Sequence, residues 1–273
     1  MENGTITYTQ LLREDLGIFR VTPDDGVPDF KAGQFLTLGL PLDGQIVNRA
    51  YSISSSPENK NFFEFVIRWV RKPLPGRLTS LLFNAKEGDK ISWAKPAGNL
   101  TINDTLPNGE KDTRRIVCIG GGTGLAPFVS FAQHLHDTND KREIVILHGA
   151  SYVDELSYKD LLTGLEDESI SKGKDKWNFK YRAAISRPQE WTNRAWHGHK
   201  GRIEQFLRTS DSGKSPLEEL VGEKITKDNT IFYVCGWQGT IDGVMDYLKA
   251  KNFVTEKNKR EDGSYEVKFE SYG

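Results

Sequence analysis

The 273-residue chain is 37% hydrophobic and 27% charged, the composition of a soluble globular protein long enough for two ordinary domains. Its 37 basic and 38 acidic residues nearly cancel, and a formal net charge of -1 argues against a broad nucleic-acid or membrane surface. The sequence has no apolar run of the roughly 18 residues that a membrane-spanning helix needs, and its polar start, MENGTITYTQLLRED, lacks the apolar core of a signal peptide.

The first 105 residues alternate short apolar stretches with Gly, Pro and Asp turns, the pattern of an all-β domain. One short helix is predicted at residues 77–84, after the turn Pro73-Leu74-Pro75-Gly76, because three leucines share one of its faces. An antiparallel barrel with one short helix fits this pattern better than a sandwich, although periodicity alone leaves both open. The predicted strands cover residues 17–21, 35–40, 48–54, 62–70 and 90–94.

A polar segment at residues 103–112 separates this pattern from a different one, so we place a domain boundary there, between domains at 1–105 and 112–273. Strands then alternate with helices, which predicts a parallel sheet covered on both faces. The predicted strands cover residues 115–119, 143–148, 179–185 and 230–235, and the predicted helices cover 125–136, 154–165, 202–207 and 240–251.

Only two cysteines occur, Cys118 and Cys235, and both fall inside predicted strands. This argues against a disulfide framework and favours a reducing cytoplasm. A plant-type iron–sulfur centre is excluded, because it needs four cysteine thiolates. The histidine pairs at positions 134/136 and 197/199 lack a third ligand at useful spacing, so no metal site is predicted.

Four glycines follow the first predicted strand of the second domain, in the run Gly120-Gly121-Gly122-Thr123-Gly124, and an apolar helix comes next. Glycines allow a sharp turn and the close approach of a phosphate, and a helix N-terminus offers unpaired N–H groups to an anion. Pro127 suits the first helical turn, where its missing N–H costs nothing. The Walker sequence is absent, so an ATPase loop is disfavoured. A tight strand–helix turn without a ligand is the alternative.

The segment Arg49-Ala50-Tyr51-Ser52 lies in a predicted strand of the first domain, where alternation places Arg49 and Tyr51 on one face. An arginine can pair with a pyrophosphate, and a tyrosine ring can pack on a flavin or a ribityl chain. Without further information the segment is equally consistent with an ordinary surface strand.

Four short motifs follow one another along nearly the whole chain: Arg49-Ala50-Tyr51-Ser52, Gly76-Arg77-Leu78-Thr79, Gly122-x-Gly124-x-x-Pro127 and Val234-Cys235-Gly236. In this order they resemble the ferredoxin–NADP reductase family, and the succession is more specific than any one motif. The extended stretch at residues 76–82, and His148-Gly149-Ala150 followed by Glu155-Leu156-x-Tyr158, resemble the bacterial ferredoxin/flavodoxin–NADP reductases in particular.

The resemblance implies an FAD site in the first domain. It places Arg49 at the pyrophosphate, Tyr51 against the flavin and Ser52 near the reactive N5. The backbone of residues 67–70 is implied to run alongside the cofactor, and the start of the short helix is implied to meet the pyrophosphate. The implied FAD-binding residues are Arg49, Ala50, Tyr51, Ser52, Ile67, Arg68, Val70, Gly76, Arg77, Leu78 and Thr79.

The resemblance also implies a nicotinamide nucleotide at the glycine turn. Cys235, followed by Gly236, is implied to lie beside the nicotinamide ring, and we do not propose it as a covalent nucleophile. A small buried hydrophobe is the alternative for Cys235. The turn residues implied to contact or shape this site are Gly122, Thr123, Gly124 and Pro127.

Many members of the resembled family place a C-terminal aromatic ring over the flavin. Tyr272 is the candidate in this chain, although Gly273 follows it; Phe269 or a frayed tail is the alternative. Together with Ser52 and Cys235, Tyr272 completes the set of implied catalytic residues.

The adenosine 2′-phosphate distinguishes NADPH from NADH and needs cations. The resemblance assigns it to Ser186, Arg187 and Arg202. Bacterial relatives often carry arginine where this chain has Ser151, so one of three cations is missing. NADPH is still favoured; a solvated surface position is the alternative for each arginine.

The resulting hypothesis is a cytoplasmic, monomeric FAD-dependent oxidoreductase that transfers electrons between NADPH and a separate ferredoxin or flavodoxin. Two alternatives stay open: an NADH-dependent flavin reductase component of an oxygenase system, and a non-catalytic flavin-binding redox sensor or scaffold. A basic cluster near the implied flavin site is interpreted as a solvated face, with docking of an acidic carrier as the alternative. The cluster comprises Arg68, Arg71, Lys72 and Arg77.

Overall fold

In the computed structural model, which describes residues 2–71, 75–211 and 213–272, the chain divides into two units. The first unit runs to Ile102 and also contains Ala126–Thr138; the second contains Asn103–Leu125 and the chain from Asn139. The predicted domains, 1–105 and 112–273, stay a prediction. The residues outside the described ranges include Lys72 of the basic cluster and Pro73 and Leu74 of the predicted turn.

The first unit contains six strands: β1 (Gly4–Arg13), β2 (Leu16–Pro23), β3 (Phe35–Leu42), β4 (Gln45–Ser52), β5 (Phe63–Arg68) and β6 (Lys90–Trp93). They form one antiparallel sheet with the order β4-β3-β6-β1-β2-β5. As the predicted barrel requires, side chains from five of these strands share one hydrophobic core. The fold class of this domain is therefore confirmed, although β1 was not among the predicted strands.

A two-residue turn, Asp43-Gly44, joins β3 to β4. Both residues have positive φ, 52° and 76°, as the hairpin turns that match strand twist require. The turn sets the register of the hairpin, in which Leu36 pairs with Tyr51 and Leu38 pairs with Arg49. Both leucines are fully buried, so the implied flavin-binding strand is held directly against the core.

One short helix, α1 (Arg77–Leu82), packs Leu78 and Leu82 into the same core. It ends two residues before the predicted bound. The last turn tightens, because the backbone N–H of Asn84 bonds to the carbonyl three residues back rather than four.

The second unit contains six further strands: β7 (Arg115–Gly121), β8 (Ile144–Ala150), β9 (Phe179–Ile185), β10 (His199–Lys200), β11 (Thr230–Gly236) and β12 (Val267–Ser271). They form a parallel sheet with the order β10-β9-β8-β7-β11-β12, which confirms the predicted α/β class.

After α1, the chain forms the helices α2 (Ala126–Asp137), α3 (Lys159–Lys172), α4 (Pro216–Val221) and α5 (Gln238–Ala250). Shorter 3-10 turns lie at Gly122–Leu125, Val153–Glu155, Trp191–Asn193, Ile203–Leu207 and Glu256–Asn258. Strands β10 and β12 and helix α4 were not predicted.

Helix α3 begins five residues later than the prediction of a helix at 154–165, and it is longer. The segment Val153–Glu155 forms a separate 3-10 turn. Tyr158 then adopts a left-handed conformation with φ of 58°, which a continuous helix does not accommodate. Apolar periodicity does not reveal such a break.

Helix α2 follows the glycine turn in the chain but belongs to the first unit. Its Ser130 hydroxyl donates to the carbonyl oxygen of Ser55 at 2.8 Å, and the Gln133 side chain donates to that of Ser54 at 2.9 Å. These two bonds satisfy two carbonyl groups of the loop between β4 and β5.

Both cysteines are free and buried. Within the described ranges, no group of three or more His, Cys, Asp or Glu side chains could hold a metal ion. Nor does any helix in those ranges combine the length and the apolar character needed to cross a membrane.

Candidate cofactor sites

The first candidate site lies on β4 of the first unit. Arg49 and Ala50 are exposed, whereas Tyr51 and Ser52 are half-buried. The Tyr51 hydroxyl oxygen is inaccessible to solvent and has no hydrogen-bond partner among the described residues. Burial raises the pKa of Tyr51, and the charge of Arg49 opposes that rise only in part.

An unpartnered buried hydroxyl needs an explanation, because nearly all buried polar groups in proteins are hydrogen-bonded. A ligand that supplies a partner atom beside Tyr51 provides one. The orphaned oxygen therefore fits the FAD that the sequence implies, which would be held on this strand. That assignment of Arg49, Ala50, Tyr51 and Ser52 stays a prediction.

The start of α1 presents backbone rather than side-chain groups. Its N-cap is Gly76, which has no side chain to bond the first N–H groups. A Cβ built on Gly76 would lie 2.5 Å from Oγ1 of Thr79, so the turn is tight as well as uncapped. Leu78 and Thr79 are buried, and Arg77 is exposed. Any contact that Leu78 or Thr79 makes with a ligand must therefore run through the backbone.

The arginines of the basic cluster differ in whether each forms an ion pair with a carboxylate. Arg68 pairs with Asp15 at 3.0 Å, and Arg71 pairs with Glu14 at 3.5 Å. Arg77 has no ion pair with a described residue, and the same is true of Arg49. These two arginines are consequently the better candidates for a pyrophosphate, and the assignment of Arg68 through its side chain loses support.

The resemblance implies that the backbone of residues 67–70 runs alongside the flavin, and the side chains of this segment differ in their exposure. Ile67 is 1% exposed and belongs to the core, so only its backbone is open to a ligand. Val70 is 40% exposed, which leaves its side chain free to contact one.

The second candidate site is built on the glycine turn of the second unit. β7 extends through Gly121, a 3-10 turn covers Gly122–Leu125, and α2 begins at Ala126 with Pro127 in its first turn. A Cβ on Gly124 would lie 2.2 Å from the carbonyl oxygen of Cys235, so the turn and the end of β11 touch backbone to backbone. The glycine at 124 is required by this close approach, whatever the turn binds.

Cys235 is fully buried at the end of β11, and burial raises the pKa of its thiol well above the ordinary value. The thiol therefore stays protonated, which agrees with our assigning it no nucleophilic role. Its parallel-register partner on β12 is Glu270. The predicted position of Cys235 beside the nicotinamide stays a prediction.

Glu270 is a candidate that the sequence interpretation missed. Its carboxyl is half-buried, makes no hydrogen bond or ion pair with another described residue, and has a pKa raised by burial. A carboxyl with a raised pKa is suited to holding a proton. The available signal was an acidic residue directly after Phe269, two positions before the proposed terminal aromatic.

Tyr272 is anchored to the glycine turn. Its hydroxyl lies 3.3 Å from Oγ1 of Thr123 and donates toward the carbonyl oxygen of Gly121 at 3.4 Å. Its backbone N–H donates to the carbonyl of Gly236 at 3.3 Å, so this end of the chain continues the sheet rather than fraying. The alternative candidate, Phe269, packs against the core of the second unit. The role of Tyr272 over a flavin stays a prediction.

The two arginines assigned to a 2′-phosphate have different environments. Arg187 is exposed, donates to the hydroxyl of Tyr152 at 2.8 Å and forms no ion pair with a described residue. Arg202 forms an ion pair with Glu204 and donates to the carbonyl oxygen of Gly239 at 3.0 Å. Arg187 therefore retains an uncompensated charge for an anion, whereas Arg202 is already engaged.

Known proteins resemble both halves of the chain. An oxidoreductase FAD-binding domain matches residues 4–102, and an oxidoreductase NAD-binding domain matches residues 118–246. A ferredoxin–NADP reductase of Azotobacter vinelandii is 30% identical over 238 residues, which are 86% of this chain and 84% of that protein. One of Pseudomonas aeruginosa is 37% identical over 146 residues, so the match spans only 53% of each chain.

The relatives also include a component of an oxygenase system. The reductase component of a propane 2-monooxygenase from Mycolicibacterium goodii is 28% identical over 87% of this chain and 60% of its own length. Among solved structures, a ferredoxin NADP+ reductase from Neisseria gonorrhoeae with bound FAD and NADP superimposes with a TM-score of 0.76. It covers 98% of this chain and 97% of that chain at 22% identity, which establishes a shared fold.

Proposed function

Because the chain belongs to the ferredoxin–NADP reductase family, we propose that it transfers electrons between NADPH and a separate one-electron carrier, a ferredoxin or a flavodoxin. The observation that carries the choice of NADPH is Arg187, an exposed arginine without a carboxylate partner among the described residues. An NADH site often has a carboxylate on the ribose instead.

A separate carrier is proposed because the chain has no iron–sulfur centre of its own to receive electrons. Two free, buried cysteines are too few for one. They also fit a reducing compartment, so we place the protein in the cytoplasm.

The bound flavin and nicotinamide supply the hydride and single-electron chemistry, and the protein supplies binding and orientation. On the first unit, Tyr51 offers a buried hydroxyl, and Arg49 and Arg77 offer charge to a pyrophosphate. On the second unit, the carboxyl of Glu270 is half-buried, and burial raises its pKa. Tyr272 fills the space beside Thr123 until a nucleotide replaces it.

The second candidate function is the flavin reductase component of an oxygenase system, using NADH. It is supported by the propane 2-monooxygenase reductase component among the relatives and by Ser151, where a third arginine is missing. Nucleotide preference separates the two candidates.

The test is an anaerobic titration of the purified holoprotein with NADPH and, separately, with NADH, followed by bleaching of the flavin absorbance. Bleaching at much lower NADPH than NADH concentrations supports the proposal. A preference for NADH favours the oxygenase-type reductase, and a protein without flavin absorbance contradicts both.

The carrier is tested separately by measuring NADPH-dependent reduction of cytochrome c with and without added ferredoxin or flavodoxin. The proposal requires the rate to rise with the concentration of one of these carriers. A rate independent of both contradicts the choice of carrier while leaving the nucleotide assignment intact.

A further inference from the structure

One buried side chain joins the two loops that follow β8 and β9. Asn193 is 1% exposed. Its Nδ2 donates to the carbonyl oxygens of Ser151, at 2.9 Å, and Arg187, at 2.8 Å. Its Oδ1 accepts the backbone N–H of Val153 at 2.9 Å. A single amide thus uses both donor hydrogens and one acceptor site to hold the two loops together.

The loop after β8 is fixed from a second side as well. Oε2 of Glu155 accepts the backbone N–H groups of Ser151, at 3.0 Å, and Tyr152, at 3.3 Å. The Glu155 carboxyl is buried beneath the loop. Tyr152 therefore projects from a backbone whose position is set by both Glu155 and Asn193.

Tyr152 in turn sets the position of the Arg187 guanidinium. Nη1 of Arg187 donates to the Tyr152 hydroxyl at 2.8 Å, and the guanidinium carbon lies 5.4 Å from the centre of the ring. A long exposed arginine side chain otherwise samples many rotamers. Holding it in one orientation before an anion arrives lowers the entropic cost of binding that anion.

No carboxylate of a described residue offsets the charge of the Arg187 guanidinium. Arg187 has no ion pair with another described residue, in contrast to Arg202 with its partner Glu204. The neighbouring Glu155 carboxylate accepts the backbone N–H groups of Ser151 and Tyr152. The arrangement is therefore that of a cation oriented by neutral groups, which suits a phosphate better than an ordinary surface arginine does.

We propose that Asn193 and Tyr152 are positioning residues that hold Arg187 for the adenosine 2′-phosphate, and that they thereby set the preference for NADPH over NADH. The inference rests on the proposed function, which assigns NADPH to this domain. It adds two residues, neither of which carries a positive charge, to the determinants of nucleotide choice.

The experiment measures kcat/KM for NADPH and for NADH, with ferricyanide as acceptor, in Y152F, N193A, R187A and the double variant Y152F/R187A. We expect Y152F to lower kcat/KM for NADPH roughly fivefold and N193A roughly tenfold or more, since each removes bonds that orient a charged group. The values for NADH stay unchanged, because NADH has no 2′-phosphate. In the R187A background, Y152F has no further effect on NADPH.

Tyr247→Phe is the matched control, because Tyr247 lies on α5 and packs against the core of the unit. It removes a hydroxyl from the same unit and leaves the preference unchanged. Should N193A fail to fold, Y152F and the double variant still test the proposal. The dissociation constant of 2′,5′-ADP gives a readout without turnover, and it rises in Y152F if the proposal holds.

Two failures are distinguishable. If the unmodified protein shows no preference for NADPH, the proposed function is wrong. If it prefers NADPH and loses that preference in R187A but keeps it fully in Y152F and N193A, only the positioning roles are wrong. Equal losses for NADPH and NADH likewise overturn the positioning roles, because they indicate a general structural effect.

Discussion

The hydroxyl of Tyr272 lies 3.3 Å from Oγ1 of Thr123, so a residue near the end of the chain occupies the hydrogen-bonding groups of the glycine turn. A nucleotide that contacts Thr123 must displace this hydroxyl. Replacing Tyr272 by serine removes the competitor, and we expect the dissociation constant of NADP+ to fall about fivefold, which corresponds to about one hydrogen bond. Y272F, which keeps the ring, produces a smaller fall. Difference absorbance of the oxidised flavoprotein measures both, and an unchanged or weaker affinity in Y272S contradicts the competition.

Gly124 and Gly122 provide a second prediction, because they differ in what a methyl group would meet. At Gly124 a Cβ would lie 2.2 Å from the Cys235 carbonyl oxygen, whereas at Gly122, with φ of 57°, it meets nothing within 4 Å. G124A should therefore cost about 2 kcal/mol or more in the free energy of unfolding through overpacking. G122A should cost only about 1 kcal/mol of backbone strain. Urea unfolding compares them, and equal losses would refute the role of the close approach at Gly124.

The sequence was most informative where local chemistry determines local structure. The Asp43-Gly44 turn, the apolar strand before Gly120 and the leucine face of α1 were each visible from residue type and spacing alone. Those features position β4, α1 and the glycine turn within their own units.

The features that could not be predicted from the sequence depend on residues that are distant along the chain and that the fold brings together. Strand β12 forms because Val267–Ser271 pairs with β11, more than thirty residues upstream, and this pairing brings Glu270 beside Cys235. The sequence alone does not distinguish the environments of Arg187 and Arg202. Only the structure shows that Glu204 neutralises one of them and that Asn193 holds the loop of the other.

His148 gives a prediction about pH. It is fully buried on β8, and burial lowers its pKa to about 4, whereas an unfolded histidine titrates near 6.5. Below about pH 6.5 the histidine of the unfolded chain becomes protonated, whereas that of the folded protein stays neutral until about pH 4. The free energy of unfolding therefore falls as the pH is lowered across this range. Between pH 7 and pH 5 the loss from this group is about 2 kcal/mol.

The measurement for His148 is the free energy of urea unfolding at pH 7 and pH 5, compared between the unmodified protein and H148N. The variant lacks the titrating ring, so its stability should fall by about 2 kcal/mol less over the same interval. H197N, a change at an exposed histidine, is the control. Identical pH slopes in H148N and the unmodified protein would show that the ring does not resist protonation.

Because the Tyr51 hydroxyl has no partner among the described residues, we expect Y51F to raise the stability of the apoprotein and to lower its affinity for FAD. No described residue bonds this buried hydroxyl, and a buried hydroxyl that is left without a partner costs about 1–3 kcal/mol. Y51F should therefore stabilise the first unit of the apoprotein by about 1 kcal/mol. If FAD supplies the missing partner, the same variant should bind FAD about fivefold to tenfold more weakly.

Thermal unfolding of the apoprotein and fluorescence titration with FAD measure the two effects separately. Tyr8→Phe is the matched control: its hydroxyl contacts Gln10 at an exposed position, so both quantities should stay within about 0.5 kcal/mol of the unmodified protein. A Y51F apoprotein that is stabilised but binds FAD normally would mean that the cofactor leaves this oxygen unpaired. Loss of both stability and affinity would instead mean that Tyr51 acts through packing. Only opposite changes identify the hydroxyl as a group that is unsatisfied in the apoprotein and bonded in the holoprotein.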